Sequence, residues 1–158
     1  DVCSSDLFYL EFTVEESCGK CAPCRVGGRK LHNILTRITK GAGVPEDIEK
    51  MRAIGNAMKK ASLCGLGQTA PNPILSTLRY FRPEYDAHIE QSTCPAGVCK
   101  ELLHFEIIKC IGCGLCARRC PVSCISGERR EPHEIDQSRC IKCGECFTAC
   151  KFDAVLRA

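Results

Sequence analysis

The chain has 158 residues, 44% of them hydrophobic but only 6% aromatic and none Trp, so it holds one ordinary domain or two small ones with modest apolar cores. Its net charge of +3 is spread over interspersed signs, and no Lys/Arg block or basic-aromatic array suits nucleic acid, which is excluded as an expected partner. Sixteen cysteines, about one residue in ten, mark either a secreted disulfide scaffold or a metalloprotein. Spacing favours the second, because eleven of them lie in C-x2-C-x2-C or C-x2-C-x2-C-x3-C runs. Neighbours in such runs sit too close to cross-link separate elements, yet can converge on one cubane cluster. There is no basic region followed by an apolar core and cleavage site, and no run of about 18 apolar residues. The expected setting is the reducing cytoplasm, with no direct membrane insertion.

The first seven residues, Asp1 to Leu7, are what the codons GAC GTG TGC TCT TCC GAT CTN encode, and that string resembles the end of a common sequencing adapter. They are expected to stand outside the fold as an artefact of a reading frame entered in mid-gene, and Cys3 receives no role. From Ser17 to about Gln91 the pattern is helical. Leu31, Ile34, Leu35 and Ile38 recur at spacings of three and four within a helix over Arg25 to Lys40, which Gly41 and Gly43 stop. A second helix opens at Pro45, with Glu46 and Asp47 at its positive end, and turns Ile48, Met51, Ile54, Ala57 and Met58 inward as far as Ala61. After a loop over Ser62 to Gly67, helices over Pro73 to Phe81 and Pro83 to Gln91 complete a small bundle whose short connections favour antiparallel neighbours.

Beyond a connector over 92–104 lies an internal repeat. Cys110, Cys113, Cys116 and Cys120 recur thirty residues later as Cys140, Cys143, Cys146 and Cys150. Each half reads as strand, cysteine loop, short helix and strand, in a module small enough that cluster ligation must supply much of its stability. Three thiolates two residues apart wrap three corners of a cubane, while the fourth, three residues on, ligates the other cluster. Cys110, Cys113, Cys116 and Cys150 are thus expected on one 4Fe-4S cluster, and Cys140, Cys143, Cys146 and Cys120 on the second. Residues 105–158 resemble the bacterial two-cluster ferredoxins, with Lys151 departing from the Pro121 of the first half. Zinc is the weaker alternative, since structural zinc sites pair C-x2-C halves. Cys124, opposite Ala154 in the repeat, reads as a small buried core residue.

A third set begins with Cys18, Cys21 and Cys24 before a helix, and Cys64 in Ser62-Leu63-Cys64-Gly65-Leu66-Gly67 is the candidate fourth ligand, its glycines admitting close backbone approach. The pair of segments, S-C-G-x-C-x-P-C-R and S-L-C-G-L-G, resembles the C-terminal cluster domain of the NADH-binding flavoprotein subunit of NADH-quinone oxidoreductase. That resemblance implies that these four positions hold one 4Fe-4S cluster close to a flavin. Arg25 and Lys20 either offset the cluster's negative charge or are plain surface charges. A two-cluster ferredoxin appended to such a bundle resembles the flavoprotein subunits of NAD(P)-linked, including electron-bifurcating, hydrogenases. The expected fold class is therefore α+β: a small antiparallel helical bundle with one 4Fe-4S cluster over residues 8–91, then a ferredoxin-like (βαβ)2 two-cluster domain over 105–158.

What the resemblance implies is an oxidoreductase fragment relaying electrons through three 4Fe-4S clusters. FMN and NAD(P) sites would lie upstream, because no Gly-rich phosphate loop precedes Cys18. No catalytic residue is assigned. Expected partners are other subunits of a multi-subunit redox complex, with ferredoxin a further candidate. The alternative is a free-standing ferredoxin-type carrier with a helical extension, although nine Lys/Arg against seven Asp/Glu over residues 105–158 lack the acidic balance of a diffusing carrier. Cys94, Cys99 and His88 offer three ligands suited to zinc, with His104 or His133 as a fourth. Glu128-Arg129-Arg130-Glu131 reads as a solvated turn.

Overall fold

In the computed structural model, which describes residues 1–157, the helical spacing of the first hundred residues becomes six helices. They are α1 (Val2–Glu15), α2 (Ala22–Thr39), α3 (Glu46–Ala61), α4 (Gly65–Thr69), α5 (Asn72–Tyr80) and α6 (Arg82–Glu90), followed by a 3-10 turn at Lys100–Leu102. Together they form one unit, residues 1–102, and residues from 103 onward form another. Pro23 sits in the first turn of α2, where its missing N–H has no partner to lose. The helix stops where Gly41 takes a φ of 75°. Leu31, Leu35 and Ile38 are buried on one stripe of α2 and face a stripe of Ile48, Met51 and Met58. Each such side chain, fully buried, contributes about 1.5–3 kcal/mol, so packing rather than helix propensity holds the pair.

Ala57, expected on the inner face of α3, is exposed. The buried positions are 47, 48, 51, 55 and 58, and residue 57 falls off that stripe. Gly27 lets the two helices approach closely, since a Cβ there would stand 2.6 Å from Met58 Cγ. Asp47 stands in the first turn of α3, as its sequence position implies, and does more there. It is fully buried, paired with the Arg37 guanidinium, and accepts from the Val44 N–H at 3.0 Å, so it ties the α2–α3 turn together.

Two stretches expected outside the helices are packed within the first unit. Residues 2–7 are built into α1, with Cys3 and Asp6 buried and Asp6 accepting from the Tyr85 hydroxyl at 2.6 Å and from Thr77. Residues 92–102, expected as part of a connector, bury Cys94, Cys99 and Leu102 together. No helix among the described residues is long and apolar enough to cross a membrane.

The second unit runs β1 (Phe105–Ile107), α7 (Leu115–Arg119), β2 (Ile125–Ser126), β3 (Glu134–Ile135), α8 (Glu145–Ala149) and β4 (Val155–Arg157). β1 pairs antiparallel with β4, Phe105 opposite Arg157 and Ile107 opposite Val155, and β2 pairs antiparallel with β3, Ile125 opposite Ile135. The outer strands of the unit are thus closed on each other, and so are the inner two. Leu103, Phe105, Ile125 and Val155 pack with Cys116, Cys124 and Cys146, so three of the seven buried residues of this core are cysteines. The protein is α+β, helical at first and ferredoxin-type from residue 103 onward.

Candidate iron-sulfur sites

In the second unit the two cysteine runs exchange their last members. Cys110, Cys113 and Cys116 line one cavity with Cys150, enclosed by Ile107, Leu115 and Val155. Cys140, Cys143 and Cys146 line another with Cys120, enclosed by Phe105, Ile125 and Ile135. The exchange is built by the backbone. Gly114 and Gly144, at φ 69° and 79°, start α7 and α8 inside each run and turn Cys116 and Cys146 into the interior. Cys120 and Cys150 then leave the helices extended, at φ −72° ψ 116° and φ −75° ψ 113°. The shared geometry means that Lys151 in place of Pro121 leaves the turn unchanged.

Backbone N–H groups serve the sulfurs in matching positions: Gly112 to Cys110 at 3.3 Å and Lys142 to Cys140 at 3.4 Å, then Cys124 to Cys120 and Ala154 to Cys150, both at 3.4 Å. Such donors favour thiolate over thiol. The halves differ at Gly112, where a Cβ would strike the Arg130 backbone at 2.5 Å. Glu128 to Glu131 form the exposed turn that crowds it. Burial pushes the Cys146 thiol up to about 11 and raises Cys116, so filling these sites with metal must release protons. Cys124 is buried with its sulfur 3.4 Å from that of Cys120, and burial together with Cys120 pushes its thiol up to about 12. The first cavity therefore offers four thiols and the second five, Cys124 lining it beside Cys120, both in apolar walls, a donor chemistry suited to an iron-sulfur cluster.

The third set is assembled from three elements of the first unit. Cys18 lies in the loop after α1, Cys21 caps α2, Cys24 occupies its first turn, and Cys64 caps α4. The Arg25 guanidinium donates to the Gly19 carbonyl at 2.7 Å, so it braces the loop that carries Cys18, while Lys20 is exposed. The Leu63 and Cys24 backbone N–H groups hold the Cys21 thiol below its ordinary value, which sets the Cys64 loop against the trio. Of the two glycines in that loop, Gly67 is the constrained one. A Cβ there would stand 2.6 Å from Ser62 Oγ and 2.9 Å from Cys24 Cβ, whereas nothing lies near Gly65. The positive end of α2 and its free N–H groups favour negative charge at this spot. Sequence reasoning missed Ser17, whose hydroxyl lies 3.3 Å from Cys24 Sγ, and the buried Ser62; a hydroxyl one or two residues before a ligand cysteine was the available signal.

His88, Cys94 and Cys99 do come together. Their ligand atoms and a carboxylate oxygen of Asp1 all lie within 4.8 Å of one another. Cys99 Sγ is 3.4 Å from His88 Nε2, and the other ring nitrogen is 2.7 Å from the Glu84 carbonyl, which as acceptor would leave Nε2 free to ligate. Burial alone would lower the His88 pKa, yet hydrogen bonds to Cys3 and Cys99 and to the Glu84 carbonyl push it up to about 11, so a metal bound at Nε2 must displace a proton. The fourth group is Asp1, not the expected His104 or His133. His104 is exposed, and His133 is buried with Nδ1 on the Glu131 carbonyl at 3.1 Å.

Comparison with known proteins accounts for both units. Residues 6–88 match the NADH-ubiquinone oxidoreductase-F iron-sulfur binding region, and residues 109–154 match the 4Fe-4S dicluster domain. The protein is thus an iron-sulfur protein of the α+β class. It belongs to the family of the NADH-ubiquinone oxidoreductase-F iron-sulfur binding region, joined to a dicluster domain. The NADP-reducing hydrogenase subunit HndC of Solidesulfovibrio fructosivorans is 53% identical over 152 residues, 95% of this chain and 31% of that protein. An NADH-quinone oxidoreductase subunit of Mycobacterium tuberculosis is 44% identical over 87 residues, 55% of this chain and 20% of that one. A chain of an NAD+-reducing [NiFe]-hydrogenase, crystallised in its H2-reduced state, superposes with a TM-score of 0.54 at 32% identity, over 56% of this chain and 15% of that one. The chain spans a third or less of the length of these relatives.

Proposed function

We propose that the chain relays electrons through three 4Fe-4S clusters, as the C-terminal part of an NAD(P)-linked oxidoreductase subunit of the hydrogenase or NADH-quinone oxidoreductase kind. The observation that carries the reading is the similarity to a hydrogenase subunit along 95% of the chain, the helical and dicluster regions in one polypeptide. It also argues against a free-standing carrier. When bound, a 4Fe-4S cluster supplies a one-electron couple. The chain's own part is to hold and tune. Cys18, Cys21, Cys24 and Cys64 hold one cluster on the helical domain. Cys110, Cys113, Cys116 and Cys150 hold a second, and Cys140, Cys143, Cys146 and Cys120 a third, on a (βαβ)2 ferredoxin fold. Cys124 fills core space and ligates nothing. The apolar walls exclude water, and the N–H donors to sulfur set the potentials.

FMN and NAD(P) belong to a region upstream of this chain, and the partners are the remaining subunits of a cytoplasmic complex, with ferredoxin as a further electron partner. Sequencing the source locus across Leu7 and Phe8 tests the placement. An upstream frame with flavin- and nicotinamide-binding glycine loops, interrupted here by adapter codons, is expected. A start codon at the junction would favour the small carrier.

His88, Cys94 and Cys99 form a zinc site in this reading, supported by their convergence and by the Glu84 brace on His88. Asp1 stands beside them but is left out of the ligand set, since this reading takes residues 1–7 as foreign. Protein purified without chelators is expected to carry about one zinc per chain beside its iron, and Cys99→Ala to lose the zinc while keeping the iron. Absence of zinc would remove the site.

A further inference from the structure

Ser62 is 4% exposed, and its hydroxyl is a buried side-chain polar group without a hydrogen-bond partner. The rest of the residue is satisfied: its N–H donates to the Met58 carbonyl at 3.0 Å, and its own carbonyl accepts from Gln68 Nε2 at 2.9 Å. A buried hydroxyl left unpaired is destabilising, so its partner is to be sought in what occupies the neighbouring site. The surroundings say what that is. Ser62 lies two residues before Cys64 and shares with Cys24 the narrow space that only a glycine at 67 leaves open. The orphan donor therefore stands beside Cys24 and Cys64, two of the four cysteines of the first-unit set.

We propose that the Ser62 hydroxyl donates a hydrogen bond to a sulfur of the cluster held by Cys18, Cys21, Cys24 and Cys64, and thereby raises that cluster's reduction potential. The inference rests on the cluster assignment above. A donor to sulfur draws electron density away from the iron and stabilises the more negative, reduced state. Ser17 makes a related contact to Cys24 from the opposite loop, but it is only half-buried and already has its partner. Ser62 thus acts as a tuning residue and not as a ligand.

Redox titration of the intact chain, followed by low-temperature EPR, tests this. In Ser62→Ala the midpoint of one centre is expected to move to more negative potential while the other two stay in place. Ser62→Thr, which keeps the hydroxyl, is expected to return that midpoint toward the wild-type value. An unmoved midpoint in the alanine variant, equal shifts in both variants, or loss of that centre would overturn the inference, since the role would then be packing or retention. If the unaltered chain itself shows only two centres, the cluster assignment fails first.

Discussion

A Cys64→Ala chain is expected to lose one cluster and keep two. Its iron falls by about a third, and one centre disappears from the reduced spectrum while the pair in the ferredoxin-type unit is unchanged. The size of the effect follows from the surroundings. Cys64 supplies the only sulfur carried by the α3–α4 turn, and Cys18, Cys21 and Cys24 leave one corner of a cubane unligated without it. No spare thiol stands ready, because Cys94 and Cys99 are buried together against Leu102 and Cys3 is buried against His88. Iron measured per chain, before and after the substitution, checks the result. An unchanged iron content with all centres retained would remove Cys64 from the ligand set.

The second large effect is expected at a distance in sequence. Cys150→Ala should abolish the cluster of Cys110, Cys113 and Cys116 and spare that of its own run. Cys150 lines the first cavity, and the chain reaches it by leaving α8 extended, in the same conformation in which Cys120 leaves α7. Cys150 is a sharper test than Cys120, because Cys120 has Cys124 3.4 Å away as a ready replacement, while the corresponding neighbour of Cys150 is Ala154. The reduced spectrum of Cys150→Ala should match that of Cys113→Ala and differ from that of Cys143→Ala. The reverse match would mean that each run keeps its own four thiols.

How far the fold could be read in advance depended on the element. α2 and α3 were legible because Leu31, Leu35 and Ile38, and Ile48, Met51 and Met58, fall on single stripes that burial preserves. α1 was not: Phe8 and Phe12 are 76% and 54% exposed, so its apolar residues do not fall on one side, and its start had been set aside as foreign. α4 was hidden by Gly65 and Gly67, poor helix formers. Gly67 is there for space against Ser62 and Cys24, which no local propensity reveals. The place of Asp47 in the first turn of α3 was legible, but its pairing with Arg37 was not, because that partner lies across a turn.

The cysteine sets were the most legible part of the site, since a thirty-residue offset is written in the chain itself, whereas bringing Cys64 to the trio depended on a family resemblance. The hydroxyl of Ser62 carried no sequence signal strong enough to single it out. That Asp1 stands beside His88, Cys94 and Cys99 follows from the packing of α1, which no spacing along the chain reveals.

The central claim, three clusters on twelve of the sixteen cysteines, is tested most directly by counting iron and reading the EPR of the dithionite-reduced chain in one preparation. The account predicts about twelve iron atoms per chain and three magnetically interacting 4Fe-4S centres. About eight iron atoms with two centres would contradict it.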